Sequence, residues 1–456
     1  MYQTHPNSPP PQPALPEEER QKREADKRKA RKNNGAKRDM HYEMEEEEHV
    51  VYPDDPDFDI NKARLFTTVP RICVRYECVP MRFIKHVYKI HTYTQEGRLF
   101  EGKTPASAFL NSSYDGSFIA GLMELRYIQS LPVERIINYF ESHGFTLKKP
   151  TAHKLIEKAS SLFENLYKCI RQTALSDPYK AADETYYKIL VPEKNSKGKG
   201  VRKGYLWVVV GINTRMIYLL YDDGSRSERV ILNELGSCKG IIQSDGYSPY
   251  RKLESDAYPN ITRIPCLQHI KRKFIDCGEK DPDAKRIVEL INALYQNEHK
   301  HKVGVEGWTV EQNLMHRKKY APDILGEIKD VLDEIEERGD LLPKSELQEA
   351  ITYLRNEWNA VVDIFNYGDT YLDNNMVERM NRYISLSRKN SLFFGSHKGA
   401  ERGAILYTIA LTCRMHKVNL FEYLTDVINR TAEWQPNTPI EKYRELLPDR
   451  WEKAND

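Results

Sequence analysis

Three acids in this chain stand in settings that are otherwise apolar or neutral. Asp183 carries small polar neighbours (Ala182-Asp183-Glu184-Thr185), as does Asp245 (Ser244-Asp245-Gly246-Tyr247), and Glu378 follows the polar start Asp373-Asn374-Asn375. Carboxylates on a rigid frame are the ligands that hard ions such as Mg²⁺ and Mn²⁺ take. Two such ions about 3.5 to 4 Å apart activate an attacking oxygen and stabilise a leaving oxygen on opposite sides of a phosphorus. That is the requirement of phosphodiester chemistry without a covalent enzyme intermediate. Singly, each acid is weak support, because acids at strand ends usually form turns or salt bridges. Glu184 rivals Asp183, but adjacent strand residues face opposite sides, so only one of them looks into the site.

The elements that must position these acids follow from hydrophobic patterning. YKAADETYYKIL reads as a strand, then a charged turn (Glu193 to Lys203), then the strands YLWVVVGI and MIYLLYDD. A short helix around Arg226 to Leu235, the strand GIIQSDGY, a strand near ITRIPC and the basic helix HIKRKF complete the series. Three strands on short turns, then helix, strand, helix, is the order of an RNase H-like α/β core with a mixed five-stranded sheet. Such a sheet sets the strands of Asp183 and Asp245 side by side. Residues 278–365 read as an inserted set of charged helices, EIKDVLDEIEERGD being solvent-facing surface. Asp373 or Asn374 can cap the helix that carries Glu378, and the apolar stretch Ala404 to Cys413 must be a buried helix. The expected division is 1–60 charged tail, 61–103 small β-rich segment, 104–176 helical region, 177–277 first part of the core, 278–365 insertion, 366–415 core completion and 416–456 helical tail.

Between Ser117 and Thr173 the break SHGFTLKKP separates two helices, with Gly144 to end the first and Pro150 in the first turn of the second. This is helix-turn-helix geometry, an alternative to an ordinary helical hairpin. It would present Lys148, Lys149, His153, Lys154 and Lys158 to DNA. A second basic group comprises His269, Lys271, Arg272 and Lys273. A third surrounds Glu378, where Arg379, Arg382, Arg388, Lys389, Lys398 and Arg402 outnumber Glu378 and Glu401. Bases beside a metal site are what a phosphate track requires. Phe393 and Phe394 read as core residues, with stacking on an unpaired base the alternative.

The whole chain of 456 residues has 69 Lys plus Arg against 67 Asp plus Glu, a net charge of +2, with 40% hydrophobic and 30% charged residues. It therefore has room for a sizeable core and is neither collagen-like nor fully disordered. The small net charge is a cancellation of blocks. The proline-rich start up to Pro16 is followed by ten bases between Arg20 and Arg38, then by ten acids between Asp39 and Asp59. A basic arm of this kind can hold nucleic acid, and the acidic block can compete with DNA for it. No apolar run reaches the roughly 18 to 20 residues of a membrane span, and no secretory leader is evident. Seven scattered cysteines without a C-x-x-C pair suggest reduced thiols in a cytoplasm. Arg71 to Thr94 reads as short strands. Cys73, Cys78, His86 and His91 lack zinc-finger spacing there, so structural zinc is not expected.

The stretches ADETYYKIL, GYLWVVVGI, IIQSDGYSPY, RIPCLQHIKRKF, LPKSELQEAITYLRNEW, LDNNMVERMNRYISLSRKNSLFFGSHKGAERGAILYTI and ELLPDRW resemble the transposases of the insertion sequence 66 type, which are DDE transposases. The resemblance runs from about Thr104 to Trp451 and is most specific from Leu372 to Ile409. It implies a bacterial, nucleoid-associated enzyme that uses two Mg²⁺ or Mn²⁺ ions to cut double-stranded DNA at the terminal inverted repeats of its element. The freed 3′-hydroxyl would then be joined to target DNA. It carries the catalytic and metal-holding roles onto Asp183, Asp245 and Glu378. It also implies a homo-oligomer on DNA and accessory proteins from the same element. Many members carry a cysteine-rich segment before the RYECVPMRF-like strands; its paired cysteines are missing here. The alternatives are an RNase H-like nuclease without strand transfer, which would give no joined product from pre-cut ends, and an inactive DNA-binding remnant.

Overall fold

The strand series read from the sequence builds a mixed five-stranded sheet in the computed structural model of the chain. The structure describes residues 81–86, 92–95, 98–101, 108–109 and 112–452, apart from 195–197, 199, 279–280, 302–306, 433 and 436. The charged tail, Cys73, Cys78 and His91 lie outside the described residues. β1 (Thr92–Gln95) and β2 (Arg98–Glu101) form an antiparallel hairpin. The expected strand does not extend through Met81 to His86, which have no regular structure. Phe83 there instead joins an aromatic cluster with Phe118, Phe140 and Phe145.

Four helices follow: α1 (Gly116–Tyr127), α2 (Val133–Ser142), α3 (Lys149–Leu162) and α4 (Glu164–Ser176). The turn between α2 and α3 uses Gly144 at φ 82°, a left-handed conformation that costs glycine little. Pro150 occupies the first turn of α3, where its missing N–H is no loss. α2 and α3 pack on each other and on α1.

The sheet is built from β3 (Tyr179–Leu190), β4 (Val201–Gly211), β5 (Ile217–Leu220), β6 (Gly240–Ser244) and β7 (Ile261–Pro265), in the order β5-β4-β3-β6-β7. β3, β4 and β5 are antiparallel neighbours, while β6 runs parallel to β3 and β7 parallel to β6. This arrangement is consistent with an RNase H-like core. The run Leu206 to Val210 is fully buried because helices cover both faces of the central strands. The buried Asp177 carboxylate ties the β4–β5 turn to the start of β3, accepting from the Thr214 backbone N–H at 2.7 Å and hydroxyl at 2.9 Å, and from Tyr179 N–H at 2.9 Å.

The remaining helices are α5 (Glu228–Leu235), the single turn α6 (Ser248–Arg251), α7 (Leu267–Asp276), α8 (Pro282–His301), α9 (Val310–Arg338), α10 (Glu346–Ile364), α11 (Asn375–Asn390), α12 (His397–Met415), α13 (Leu420–Ala432) and α14 (Ile440–Glu445). α12 is buried from Leu406 to Cys413 and lies along the edge strand β5. Thr412 and Thr408 accept the N–H groups of Ile217 and Leu219 at 3.2 and 2.9 Å, which satisfies a sheet edge that would otherwise be bare.

The inserted helices are tied into the sheet. α10 packs on α7 and β7, and the buried Arg263 of β7 pairs with Glu357 of α10 and with Glu254. In α9 the charged sequence faces solvent on one side only, since Ile328, Val331, Leu332 and Ile335 are buried at helical spacing. No described helix is long and apolar enough to cross a membrane.

Candidate active site

The first two acids meet through strand pairing. β3 and β6 pair in parallel with Tyr179 opposite Ile241, Lys180 opposite Ile242 and Ala181 opposite Gln243. The paired register ends two residues short of Asp183 and Asp245, the latter just past the end of β6, and the two carboxyls are near enough for the Asp245 charge to act on Asp183. The Glu184 N–H donates to Asp183 Oδ1 at 2.9 Å, and the Asn381 amide donates to Oδ2 at 2.6 Å. Burial, and then the negative charges of Glu184 and Asp245, push the Asp183 carboxyl up to about 8, against the pull of those two donors. The loop of Asp245 is pinned from several sides. Tyr247 N–H donates to its Oδ1 at 3.1 Å, and Arg263 Nη1 to its carbonyl at 3.2 Å. Tyr353 of α10 accepts the Gly246 N–H at 2.8 Å, and a Cβ at Gly246 would meet the Tyr353 hydroxyl at 2.5 Å and its ring at 2.7 Å, so the close approach requires glycine.

Glu184 has a different set of partners, as strand alternation demands. Arg226 donates to its Oε1 at 2.9 and 2.5 Å, and Tyr250 OH to its Oε2 at 3.4 Å. Burial, opposed by the Arg226 hydrogen bond, raises its carboxyl above the ordinary value. Arg226 also lies 4.1 Å from the ring centre of Tyr247, locking the turn after Asp245.

Helical spacing brings the third acid to the same place. Positions 374, 378 and 381 recur at i, i+4 and i+7, one stripe of a helix. Asn374 donates to the Ala182 carbonyl at 3.0 Å and Asn381 to Asp183, so α11 lies along β3 with Glu378 between its two anchors. The three acids are thus gathered, but not into one tight sphere. Among the described residues the donor set closing to within 4.8 Å is Cys266, His269 and Glu378. Two ions need no single sphere, since the outer acids can each serve a different ion. The acids fit divalent cations on their own chemistry. Asp183, Glu184 and Asp245 crowd together with Arg226 as the paired counter-charge, and Glu378 Oε1 is buried without a hydrogen-bond partner.

The basic residues fall into distinct settings. His269 is half-buried beside the third acid: its Nδ1 lies 3.6 Å from Glu378 Oε1. Lys271 and Lys273 lie near the rings of Tyr295 and Tyr353, at 5.8 and 5.9 Å, and Arg272 is exposed. On α11, Arg379, Arg382 and Lys389 are exposed, whereas Arg388 donates to the Tyr186 carbonyl and stacks on its ring at 4.0 Å. Arg379 also borders a cavity of about 300 Å³ shared with Tyr295, Asp373 and Asn374. On the helical pair, Lys148, His153 and Lys154 are exposed, Lys149 pairs with Glu134 at 2.7 Å, and Lys158 lies 5.2 Å from the Phe109 ring. α3 packs against α12, where Arg402 is bound to Glu157. Phe394 is buried against Tyr187, while Phe393 is 46% exposed.

Sequence reasoning read Asn374 as a helix cap, a position it holds without a side-chain cap bond because its amide donates to the Ala182 carbonyl, and missed Asn381, Arg226 and Tyr353. The signal for the two asparagines was present in their helical spacing from Glu378; Arg226 and Tyr353 carry none, because their partners are distant in the chain.

A family model described as "Transposase IS66 family" matches residues 111–402. Similar proteins include three from Sinorhizobium fredii, each described as uncharacterized. Protein y4jD is 25% identical over 370 residues, covering 78% of this chain and 70% of its own. Protein y4hP is 23% identical over 438 residues, covering 91% and 76%. Protein y4qI is 25% identical over 384 residues, covering 80% and 69%.

Proposed function

Since the chain belongs to the IS66 family of transposases, we propose that it cuts DNA at the ends of its mobile element and joins the freed 3′-hydroxyl to target DNA, with Asp183, Asp245 and Glu378 as the catalytic acids on an RNase H-like core. The observation that carries this reading is the stripe of Asn374, Glu378 and Asn381 laid along β3 beside Asp183, with Asp245 just past the end of the neighbouring β6.

Asp183, Asp245 and Glu378 are the residues that would hold divalent ions, Mg²⁺ or Mn²⁺. When bound, such ions supply activation of the attacking oxygen and stabilisation of the leaving oxygen. The chain's own contribution is positioning. Asn381 fixes one oxygen of Asp183, Tyr353 and Arg263 fix the Asp245 loop, and Arg226 neutralises Glu184. The exposed Arg379, Arg382 and Lys389 offer positive charge to DNA phosphates on the solvent side of α11. The exposed bases of α3, including Lys149 at its start, and Lys148 just before it supply a second DNA contact. Synapsis of two element ends calls for more than one copy of the chain on DNA.

The substrate for a test is the DNA flanking the gene, searched for terminal inverted repeats. Asp183→Ala, Asp245→Ala and Glu378→Ala should each abolish Mg²⁺-dependent cleavage of those ends while DNA binding persists; full cleavage by all three variants sinks the assignment. Pre-cut ends supplied with target plasmid should give joined product, and cleavage without joining would instead identify a nuclease.

A further inference from the structure

One group of chemistry-bearing residues beside the acids is not used by that reading. Cys266 stands immediately before α7 and His269 one turn later, so both face the same side of the helix start. Glu378 approaches that side from α11. The three donor atoms lie within 4.8 Å of one another, and His269 Nδ1 and Glu378 Oε1 stand 3.6 Å apart. That is too long for a hydrogen bond, and both atoms are buried without a hydrogen-bond partner among the described residues. Buried polar atoms left in this way carry a desolvation cost that a bound ion would offset. The Cys266 sulfur is held in place by the Asn374 backbone N–H at 3.2 Å.

We propose that Cys266, His269 and Glu378 form a binding site for a borderline-soft divalent ion of the Zn²⁺ class, a site that shares Glu378 with the all-carboxylate set and differs from it in its thiolate and imidazole donors. Thiolate, imidazole and carboxylate together suit Zn²⁺ or Co²⁺ and discriminate against Mg²⁺, which takes oxygen ligands. Metal–ligand bonds of about 2.0 to 2.3 Å place tetrahedral donors roughly 3.3 to 3.8 Å apart. The His269–Glu378 spacing already meets this, and Cys266 needs a shift of about an ångström or less. Binding releases the thiol proton to solvent. Three protein ligands leave a fourth position for water or a phosphate oxygen, on the side where His269 and Glu378 are 26% and 28% exposed. The site depends on where Glu378 lies and not on its proposed role in DNA cleavage, so the two readings can fail separately.

The test is a Co²⁺ titration of the metal-stripped full chain followed by absorption. One equivalent should produce a near-ultraviolet thiolate-to-cobalt charge-transfer band and intense four-coordinate visible bands, displaced by Zn²⁺ and not by excess Mg²⁺. Cys266→Ser should remove the charge-transfer band. His269→Ala should weaken Co²⁺ binding by at least about tenfold, with circular dichroism and melting showing both variants folded. A Cys73→Ser/Cys78→Ser variant should keep the band. The proposal is overturned if no such band forms, if it survives Cys266→Ser, or if it is lost with Cys73 and Cys78 instead. Should Cys266→Ser not fold, unchanged affinity in His269→Ala overturns it.

Discussion

Buried acids are treated in opposite ways in two regions of this molecule. Between α8 and α9, Glu298 meets Arg317, whose guanidinium donates to both carboxylate oxygens and also to the carbonyls of Tyr367 and Thr370. Tyr320 adds a further donor to the same carboxylate at 2.8 Å. At the sheet, Asp183 accepts from an amide and a backbone N–H and pairs with no cation among the described residues, and burial, reinforced by the charges of Glu184 and Asp245, raises its carboxyl to about 8. The first arrangement is complete within the chain and holds the fold. The second is not complete within the chain, which accords with the proposed role of Asp183 as a cation ligand.

Removing one partner from the complete region should cost most. Arg317→Ala leaves Glu298 charged and buried, with an expected loss of about 3 to 5 kcal/mol in urea unfolding. Replacing both residues with apolar ones of similar volume should recover most of it. A loss under about 1 kcal/mol would erase the contrast between the regions. In the incomplete region, Asp183→Asn keeps the shape and the bond from the Glu184 N–H, with the Asn381 amide turned so that its free oxygen accepts from the new NH2, while removing the carboxylate. Its unfolding free energy without metal should stay within about 1 kcal/mol of the parent. The parent, by contrast, should gain about 2.7 kcal/mol from Mg²⁺ at a hundred times its Kd, a gain that Asp183→Asn should lose. Equal Mg²⁺ stabilisation of both chains would show that Asp183 is not a cation ligand.

An uncharged buried partnership calibrates the scale. Thr412→Val strips the edge strand of the acceptor for Ile217 N–H and should cost about 1 to 2 kcal/mol, read from the urea midpoint at constant slope. The smallest effect belongs to an ion pair at the rim. Arg338 holds the Asp283 carboxyl below the usual carboxylate range. A depressed carboxyl contributes stability above its unfolded value, about 3.9, and that contribution is lost as pH falls through the lower folded value. Asp283→Asn should lower stability slightly at neutral pH, where the pair with Arg338 is intact, and flatten the acid side of the profile below pH 4, where the parent loses that contribution.

Much of the core could be read from local pattern. YKAADETYYKIL, YLWVVVGI and GIIQSDGY became β3, β4 and β6, with boundaries moved by a few residues. The apolar stretch from Ala404 became a buried part of α12. The expected pairing of the strands bearing Asp183 and Asp245 is present because right-handed parallel crossovers leave few ways to order such a series. The role of Thr408 and Thr412 was hidden, since a threonine in an apolar helix shows no sign of which strand edge it will serve. His269 was read as one more base in HIKRKF. Its neighbour Glu378 is over a hundred residues away, and charge composition carries no information about that approach.

The sequence by itself determined the types of element, the apolar faces and the acids available for chemistry, because these follow from backbone propensity and from periodicity over a few residues. Only the tertiary structure decided which acids go with which partners. Arg317 was matched to Glu298, Arg226 to Glu184, Asn381 to Asp183, and Cys266 and His269 to Glu378. Each of these joins groups from separate elements through the closure of intervening chain, and burial of the shared core, not local preference, selects among the possible closures.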